Sequence, residues 1–486
     1  MTSTLTVAER RRATLNRRAA DAPAARSAPA SGPPRRAAPT RQSAARPATA
    51  RKPGVRTAPT RKPAARAVTS KSTGVRAHGV AGDRPRSLRP VRASVQPGED
   101  LGPIATFVLS VRTAAGPERK LGPPPGTFYV IASVVLVFVV LGLVMVLSAS
   151  AVTQANIGNS PYAVFSKQAM WAGIGLVGMI FATQVPYTIW KPLTIPLLGL
   201  GTAAMAVPFL PGLGTRVNGA RSWIQFAGLS VQPSEFLKLV VVIAAASLLT
   251  ARARELGDRR KTLYPVAALA GAAALMSLAQ GDLGSAIVLG VIVLSVAWIA
   301  GVPMKPLAGL TLVAVIAAIG FVVSDSRRLS RFTAFMDIEG HKEFESYQVY
   351  QGLVSIANGG LTGSGIGGSR TKLGYLPYAH SDFIFSIIAD ELGMIGTAAV
   401  IGGFIVLLAF GIQAALAAPD RFGMLLAGGI SAWFGVQAII NLGGVTGVMP
   451  VTGLTLPFFS AGGSSLFVSM FAAGLLLSVA RRATRS

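Results

Sequence analysis

The chain has 486 residues, of which 51% are hydrophobic and only 13% are charged, and its mean hydropathy is +0.53. This composition is too apolar for water-soluble domains and indicates a membrane protein with several spans. The net charge of +27 is uneven, because residues 1–120 hold 25 of the 46 lysines and arginines but only 6 of the 19 acidic residues. The absence of cysteine excludes disulfides, thiolate metal sites and cysteine nucleophiles.

Residues 1–120 are rich in alanine, proline and arginine. Such a segment cannot bury enough apolar surface to offset the entropy of ordering its backbone, so we expect a disordered basic tail. The apolar stretch Ile104–Val111 is too short to cross a bilayer and would at most lie along the membrane surface. A cationic tail beside the inner leaflet would attract anionic lipid. Nucleic acid is not an expected partner.

From Thr127 onward the hydropathy pattern predicts ten membrane-spanning helices. A span needs about 20 apolar residues, and backbone groups in lipid must be satisfied within their own segment, which favours helices over strands. The fold class is therefore an all-α polytopic membrane protein, with a membrane domain at 127–480 and a short tail at 481–486. The predicted spans are 127–150, 163–184, 192–210, 235–251, 263–280, 282–301, 305–324, 391–417, 422–443 and 463–480.

The distribution of lysine and arginine in the connections predicts the orientation. Cationic loops stay in the cytoplasm, and the basic side receives both ends of the chain and the loop at 252–261. Both termini are therefore predicted to be cytoplasmic. The long connection at 325–390, between the seventh and eighth spans, then lies outside the cytoplasm, where a long ordered loop is expected to carry function.

Asp382 lies near the end of this connection, between His380-Ser381 and the apolar run Phe383–Phe385. Desolvation at the membrane surface would raise the pKa of its carboxyl and make it a better proton acceptor, which suits a general base. The alternative is an N-cap of a helix that begins at Phe383, and position alone favours the cap. His380 is the rival base, and its alternative is an interfacial histidine in contact with water.

Two further acidic positions lie near predicted spans. Glu235 and Lys238 are three residues apart at the start of the fourth span and share one helical face. Opposite charges within a span usually pair or line a polar cavity, so we favour a cavity-lining pair over a purely structural one. Asp282 precedes the sixth span, where an acid is favoured by the helix dipole.

The run Gly363–Gly368 formally matches G-x-G-x-x-G, but a loop outside a βαβ unit does not predict a dinucleotide site. Its backbone N–H groups could approach a phosphate, and the alternative is a flexible turn. Several basic side chains in the same and a neighbouring connection would suit a diphosphate, although singly each fits a solvated basic face. These are Arg327, Arg328, Arg331, Arg370, Lys372, Arg216 and Arg221.

Four blocks resemble the signature motifs of the SEDS family, whose members act in shape, elongation, division and sporulation, and they occur in the family's order. The resemblance covers roughly 127–480. The GLTLP and AGGSS elements are more similar to the division member of the family than to the elongation member. The long basic tail is similar to that of the actinobacterial division members. The blocks are NGARSWIQFAGLSVQPSEFLKL (218–239), QGDLGSA (280–286), YLPYAHSDFIFSIIADELG (375–393) and PVTGLTLPFFSAGGSS (450–465).

The resemblance implies a peptidoglycan glycosyltransferase that polymerises lipid II at the outer face of the cytoplasmic membrane, at the division septum. It implies Asp382 as the catalytic acid, which reverses the preference for a cap, and a charged Glu235–Lys238 pair in the central cavity. It also implies a divalent cation, Mg²⁺ or Mn²⁺, for which Asp382 is a candidate ligand. Further substrate or cavity residues by resemblance are Arg221, His380, Lys372 and Arg331.

The implied partners are a class B penicillin-binding protein of the division type and other division proteins. Two other functions remain open: a flippase that carries lipid II across the bilayer, and a scaffold that recruits the transpeptidase without catalysis. The sequence departs from the family motifs at Ser381, where threonine is usual, at Asp390, where glutamate is usual, and at Gly281, where proline is usual.

Overall fold

The computed structural model describes residues 103–115, 123–217, 220–226 and 229–483. Helix α1, Pro103–Ala115, lies within residues 1–120, for which we predict a disordered tail. The other residues of that predicted tail fall outside the described residues. The α1 helix is anchored by Thr188, whose Oγ1 donates a hydrogen bond to the Ala114 carbonyl at 2.5 Å. Its exposed apolar side chains, such as Phe107 and Val108, fit the predicted position along a membrane surface.

Twelve further helices are found in the described part of the chain. They are α2 Gly126–Asn156, α3 Ala163–Gln184, α4 Thr194–Ala206, α5 Pro233–Ala251, α6 Tyr264–Ala279, α7 Leu283–Ile299, α8 Met304–Val323, α9 Ser326–Met336, α10 Tyr347–Gly359, α11 Ile384–Leu416, α12 Arg421–Val445 and α13 Gly463–Arg482.

Within the described residues, eight helices are long and apolar enough to cross a membrane, and for α6 this span starts at Arg259, because a π-helical turn, Arg259–Leu263, leads directly into the helix. Two shorter apolar helices coincide with predicted spans: α4 with the third and α7 with the sixth. Helix α4 continues as a 3₁₀ turn to Phe209. The predicted polytopic helical fold is therefore confirmed. The number of ten crossings stays a prediction, because α4 and α7 are shorter than the other spans.

A small antiparallel sheet fills the connection between α4 and α5, where no strand is predicted. Its strands are β1 Gly214–Val217, β2 Ala220–Phe226 and β3 Leu229–Val231, in the order β1-β2-β3. Asn218-Gly219 stands between β1 and β2 in the sequence, and this dipeptide is a strong hairpin signal. The helical fold class is kept, with this small sheet as an addition that the hairpin signal could have located.

Helices α12 and α13 form the centre of the bundle. In their most apolar 18-residue stretches, 72% and 83% of the residues are buried inside the protein. Helix α13 packs against α3, and α12 packs against α5, α7 and α11. Helix α8 lies at the periphery, because only 6% of its most apolar 18-residue stretch is buried. The end of α12 and the segment that leads into the start of α13 lie beside the start of α11, where Asp382 is found.

The connection at 325–390 contains α9, α10 and an irregular segment that leads into α11. Helix α11 begins at Ile384, seven residues before the predicted span, and has a break at Gly393 (φ 64°, ψ −162°). Only glycine adopts this backbone conformation readily. The hydropathy pattern missed the first segment because it contains Asp390 and Glu391, whose charges are satisfied by the preceding connection rather than exposed to lipid.

Candidate functional site

Asp382 lies in the connection just before α11, and its carboxylate is half-buried. The N-cap of α11 is Phe383, and no side chain caps that helix. The interpretation of Asp382 as a helix cap is therefore wrong. None of the residues that the structure describes donates a hydrogen bond to its carboxylate. Burial raises the pKa of this carboxyl from 3.8 to about 6, because desolvation disfavours the charged form.

A small cavity adjoins this carboxylate. It is lined by the start of α11, the end of α12 and the segment 451–454, and Gly453 brings the backbone close to Asp382 Oδ2. Asn441 of α12 closes one wall: its Nδ2 donates hydrogen bonds to the Asp382 carbonyl at 2.9 Å and to the Leu454 carbonyl at 2.7 Å. Sequence reasoning missed Asn441, although a buried amide within a span was an available signal.

His380 lies two residues before Asp382 and is half-buried. Its carbonyl accepts a hydrogen bond from the Ala461 N–H at 2.9 Å, which ties this segment to the PVTGLTLPFFSAGGSS block. Burial lowers the pKa of the imidazole below its usual 6.5. The ring is therefore neutral at pH 7, and it is a weaker base than a free histidine.

Glu235 and Lys238 form the predicted ion pair, with Nζ and Oε2 2.8 Å apart. Lys238 is fully buried, and its Nζ also donates a hydrogen bond to Gln437 Oε1 at 2.9 Å. Gln437 in turn donates from Nε2 to the Thr455 carbonyl at 2.8 Å. The pair therefore joins α5 to α12 and to the segment before α13. This packing matches the structural alternative rather than the preferred cavity-lining role.

Lys372 is not a free cation for a diphosphate, contrary to the sequence-based interpretation. Its Nζ lies 2.7 Å from Glu391 Oε1, and the two side chains are 3% and 0% exposed. Ser148 of α2 completes the cluster, because it donates to the Glu391 carboxylate at 2.7 Å and accepts from Lys372 at 2.9 Å. A charge this deeply buried is neutralised by its partner and is not available to substrate.

Asp390 also belongs to this buried network. Three hydroxyls approach its Oδ2: Ser369 at 2.6 Å, Thr371 at 3.0 Å and Ser355 at 3.3 Å. The shorter acid at a position where the family usually has glutamate thus has three hydroxyls around one of its carboxylate oxygens. The network attaches the connection at 355–372 to the first segment of α11.

The glycine-rich run does not form a free phosphate cradle. The N–H groups of Ser364 and Gly365 donate to the carbonyls of Asp390 and Glu391 at 2.9 and 3.0 Å. The Gly363 N–H donates to the Gly359 carbonyl at the end of α10, and the Gly368 N–H donates to the Gly365 carbonyl. All four donors therefore have backbone partners, and those of Ser364 and Gly365 attach the run to α11 beside its break, so these N–H groups are not free to bind an anion.

The remaining basic side chains differ in availability. Arg331 and Arg370 are exposed. Arg328 is occupied, because it pairs with Asp325 at 3.8 Å and stacks on Phe321. Arg221 is half-buried on β2, and its backbone N–H donates to the Gln280 carbonyl at 2.8 Å. The side chains of Arg216 and Arg327 lie outside the described part of the structure.

Asp282 acts as a helix cap. Its Oδ1 accepts a hydrogen bond from the Ser285 N–H at 2.9 Å, and its Oδ2 accepts one from Gln232 Nε2 at 3.0 Å. The preceding Gly281 has φ 82°, which proline cannot adopt because its ring fixes φ near −65°. The departure from the family motif at this position therefore has a local backbone cause.

The fold and this site define a polytopic membrane protein whose signature blocks converge beside the start of α11. The model of the cell cycle protein family FTSW_RODA_SPOVE matches residues 128–485. The chain belongs to this family, which contains the SEDS proteins named from the sequence motifs.

Two relatives illustrate the similarity. The probable peptidoglycan glycosyltransferase FtsW of Mycobacterium tuberculosis is 36% identical over 402 residues, which cover 82% of this chain and 76% of that protein. The stage V sporulation protein E of Bacillus subtilis is 36% identical over 348 residues, which cover 72% of this chain and 95% of that protein.

Solved structures agree. A chain from a peptidoglycan synthase complex that coordinates polymerisation and crosslinking has a TM-score of 0.59 and 28% identity, covering 73% of this chain and 97% of that chain. The rod shape determining protein RodA of Thermus thermophilus has a TM-score of 0.54 and 29% identity, with the same coverage. The fold expected from the sequence motifs is therefore confirmed.

Proposed function

We propose that this chain is a peptidoglycan glycosyltransferase of the division type that polymerises lipid II into glycan strands. Its membership of a family whose relatives include probable peptidoglycan glycosyltransferases supports the activity. The observation that carries the proposed mechanism is the carboxylate of Asp382, which is half-buried, adjoins a cavity and receives no hydrogen bond from the described residues.

Glycan extension requires the C4 hydroxyl of an acceptor GlcNAc to attack the anomeric carbon of a donor MurNAc. The new bond forms at that carbon, undecaprenyl diphosphate leaves, and the hydroxyl proton must go to a base. Asp382 suits this role, because a carboxyl with a pKa of about 6 is mostly ionised at pH 7 yet binds a proton better than an ordinary aspartate. A positioned base contributes roughly 10² to 10⁴ in rate.

The leaving diphosphate requires positive charge. Among the described side chains of the connection that carries Asp382, those of Arg331 and Arg370 are exposed, and we assign them to this role. The buried pairing of Lys372 removes that side chain from this role. Arg221 contributes from β2 in the neighbouring connection. Lipid-facing grooves between the helices hold the polyprenyl tail.

A divalent cation, Mg²⁺ or Mn²⁺, is part of the proposal. The described residues contain no group of three or more histidine, cysteine or acidic side chains that could enclose a metal. Mg²⁺ is usually held by one or two carboxylates together with substrate phosphates and water. The diphosphate of lipid II fits this ligand set, and we assign the cation to the diphosphate rather than to Asp382, because a bound cation would lower the pKa of that carboxyl and prevent it from acting as the base. When bound, the cation would neutralise charge on the leaving diphosphate.

The alternative of a lipid II flippase predicts key charged residues near the bilayer midplane that are accessible from both sides. The intramembrane pair Glu235–Lys238 is instead fully packed and hydrogen-bonded to Gln437, which favours the polymerase. A non-catalytic scaffold predicts that Asp382 is dispensable for synthesis. An in vitro assay therefore separates these functions.

The test is a polymerisation assay with labelled lipid II, using the purified full-length chain together with its transpeptidase partner. We expect Asp382→Ala to abolish strand formation while its thermal unfolding in detergent matches the wild type. His380→Ala should retain substantial activity, because Asp382 is the proposed base and burial lowers the pKa of the His380 imidazole, which weakens it as a proton acceptor. Strand formation by Asp382→Ala near the wild-type rate would refute the mechanism, and an inactive wild type would favour the scaffold or the flippase.

The partner we propose is a class B penicillin-binding protein of the division type, which crosslinks the new strand, within a larger set of division proteins. The solved synthase complex, in which polymerisation and crosslinking are coordinated, supports such a pairing. We further propose that both termini are cytoplasmic, that Asp382 faces outside, that the protein acts at the septum, and that the basic tail binds anionic inner-leaflet lipid.

A further inference from the structure

Helix α9 carries an apolar stripe along one face. The stripe consists of Leu329, Phe332 and Met336, which are 38%, 44% and 73% exposed. Their spacing of three and four residues places them on one side of the helix. Ala334 is buried and lies on the opposite side of the same helix. The apolar stripe therefore faces away from the rest of the protein.

Contacts near both ends of α9 hold it against two membrane spans. At its start, Arg328 stacks on the ring of Phe321 in α8, and its Nη1 donates a hydrogen bond to the Phe321 carbonyl at 3.2 Å. Just beyond its end, Ile338 contacts Gly447, which follows α12. The last residues of α8 and of α12 lie on the same side of the membrane. Helix α9 therefore extends between the ends of two spans, at the level of the bilayer surface.

The span before α9 has a surface that contacts lipid. Val313, Ile319 and Val323 of α8 are 63%, 58% and 59% exposed, and exposed apolar side chains of a peripheral span are in contact with acyl chains. Helix α9 begins at Ser326, three residues after Val323. The lipid-facing surface of α8 thus continues along the chain into the apolar stripe. A helix with one apolar and one polar face at this level lies in the interface, with its apolar side chains at the boundary of the acyl chains.

We propose that α9 is an interfacial helix, whose apolar stripe of Leu329, Phe332 and Met336 inserts into the phospholipid leaflet at the end of α8. The partner of this surface is the bilayer itself. The contact fixes the depth of the connection at 325–390 relative to the membrane. The inference goes beyond the proposed glycosyl transfer and does not depend on it, because it needs only the faces of α9 and the contacts at its two ends.

Phe344 provides a matched control in the same connection. It is 74% exposed and lies in the turn between α9 and α10. Its neighbours Glu343 and Glu345 are both exposed. Because carboxylates are costly to place in lipid, we expect Phe344 to face water. Phe332 and Phe344 are thus residues of one type, in one connection, with opposite predicted surroundings.

The experiment uses the absence of cysteine from the chain, because a single introduced cysteine then reports one position. Phe332→Cys, Met336→Cys, Phe344→Cys and, as a lipid reference, Val313→Cys are made in the full-length chain. Each variant is labelled with a nitroxide and placed in nanodiscs of phosphatidylethanolamine and phosphatidylglycerol, without a partner protein. Electron paramagnetic resonance then measures collisions of the label with oxygen, which concentrates in lipid, and with a water-soluble nickel chelate. A variant that does not fold, as judged by size-exclusion chromatography, is replaced by Leu329→Cys.

We expect the labels at 332 and 336 to collide more often with oxygen than with nickel, as at 313, and the label at 344 to show the reverse order. More frequent nickel collisions at 332 and 336 would overturn the inference, because the stripe then faces water and is available to a protein partner. Few collisions with either reagent would also overturn it, because a second copy of the chain then covers the stripe. An oxygen preference at 344 equal to that at 332 would overturn the assignment to α9, since the whole connection would then lie in lipid.

Discussion

The segments that precede α7 and α11 each place an aspartate just before a helix, yet the two carboxylates are in opposite situations. Asp282 accepts hydrogen bonds from the Ser285 N–H and from Gln232, so its charge is stabilised by the helix it caps. Asp382 is one residue too far from α11 to cap it and receives no donor from the described residues. The difference indicates which of the two acids is available for proton transfer.

The two helix starts are also held in different ways. The start of α7 is stabilised by its own cap. The first segment of α11 is attached to the preceding connection by the buried Lys372–Glu391 pair and by the hydroxyls around Asp390. Because these contacts stabilise the start of α11, Asp382 is not needed to stabilise it.

The largest effect on stability is expected from Lys372→Met, which leaves Glu391 buried and unpaired. Loss of one partner of a buried ion pair typically costs roughly 3–5 kcal/mol, so the thermal unfolding midpoint in detergent should fall markedly. The matched control is Lys261→Met, which removes an ion pair with Glu255 at 2.8 Å, close to the 2.7 Å of the buried pair, at an exposed site. Equal midpoints for the two variants would show that the buried network does not hold α11.

A second pair of variants lengthens each acid by one methylene. Asp382→Glu should lower the polymerisation rate by about 10², because a base displaced by about 1 Å loses its alignment with the hydroxyl. Asp282→Glu should keep the wild-type rate per folded molecule, since that acid does not touch the reacting groups. The comparison would fail if Asp282→Glu lost as much activity as Asp382→Glu.

The smallest effect is expected from removal of the cap. Asp282→Ala should lower the free energy of unfolding by about 1 kcal/mol. The corresponding change at position 382 should not destabilise the protein, because Asp382 caps no helix. Unfolding of both alanine variants in detergent measures this contrast. A larger loss of stability in Asp382→Ala than in Asp282→Ala would return Asp382 to a structural role.

Much of the fold could be predicted, because long runs of residues with high hydropathy indicate membrane spans. The long spans and the Glu235–Lys238 pair follow from local patterns, namely apolar length and helical spacing. The start of α11 could not be located in this way. Asp390 and Glu391 resemble the end of an aqueous loop in sequence, and only the folded connection supplies the donors that allow them inside the protein.

The site was predictable in part. Asp382 stands out by its motif, but its distinction from Asp282 depends on hydrogen-bond partners distant in sequence, such as Gln232. Likewise, Lys372 and Arg370 look equivalent in sequence, whereas folding buries the first against Glu391 and leaves the second exposed. Asn441 holds the backbone of Asp382 only because α12 ends beside a segment about sixty residues earlier in the chain.

The pH dependence of lipid II polymerisation by the wild type tests the central claim most directly. The base must be ionised, and burial raises the pKa of Asp382 to about 6, so the rate should fall as the pH drops below about 6, by about tenfold per pH unit. An acid limb near 6 is the predicted result. A limb near the ordinary aspartate pKa of about 4, or a flat profile between those values, would contradict the assignment of a donor-free, half-buried carboxylate as the base.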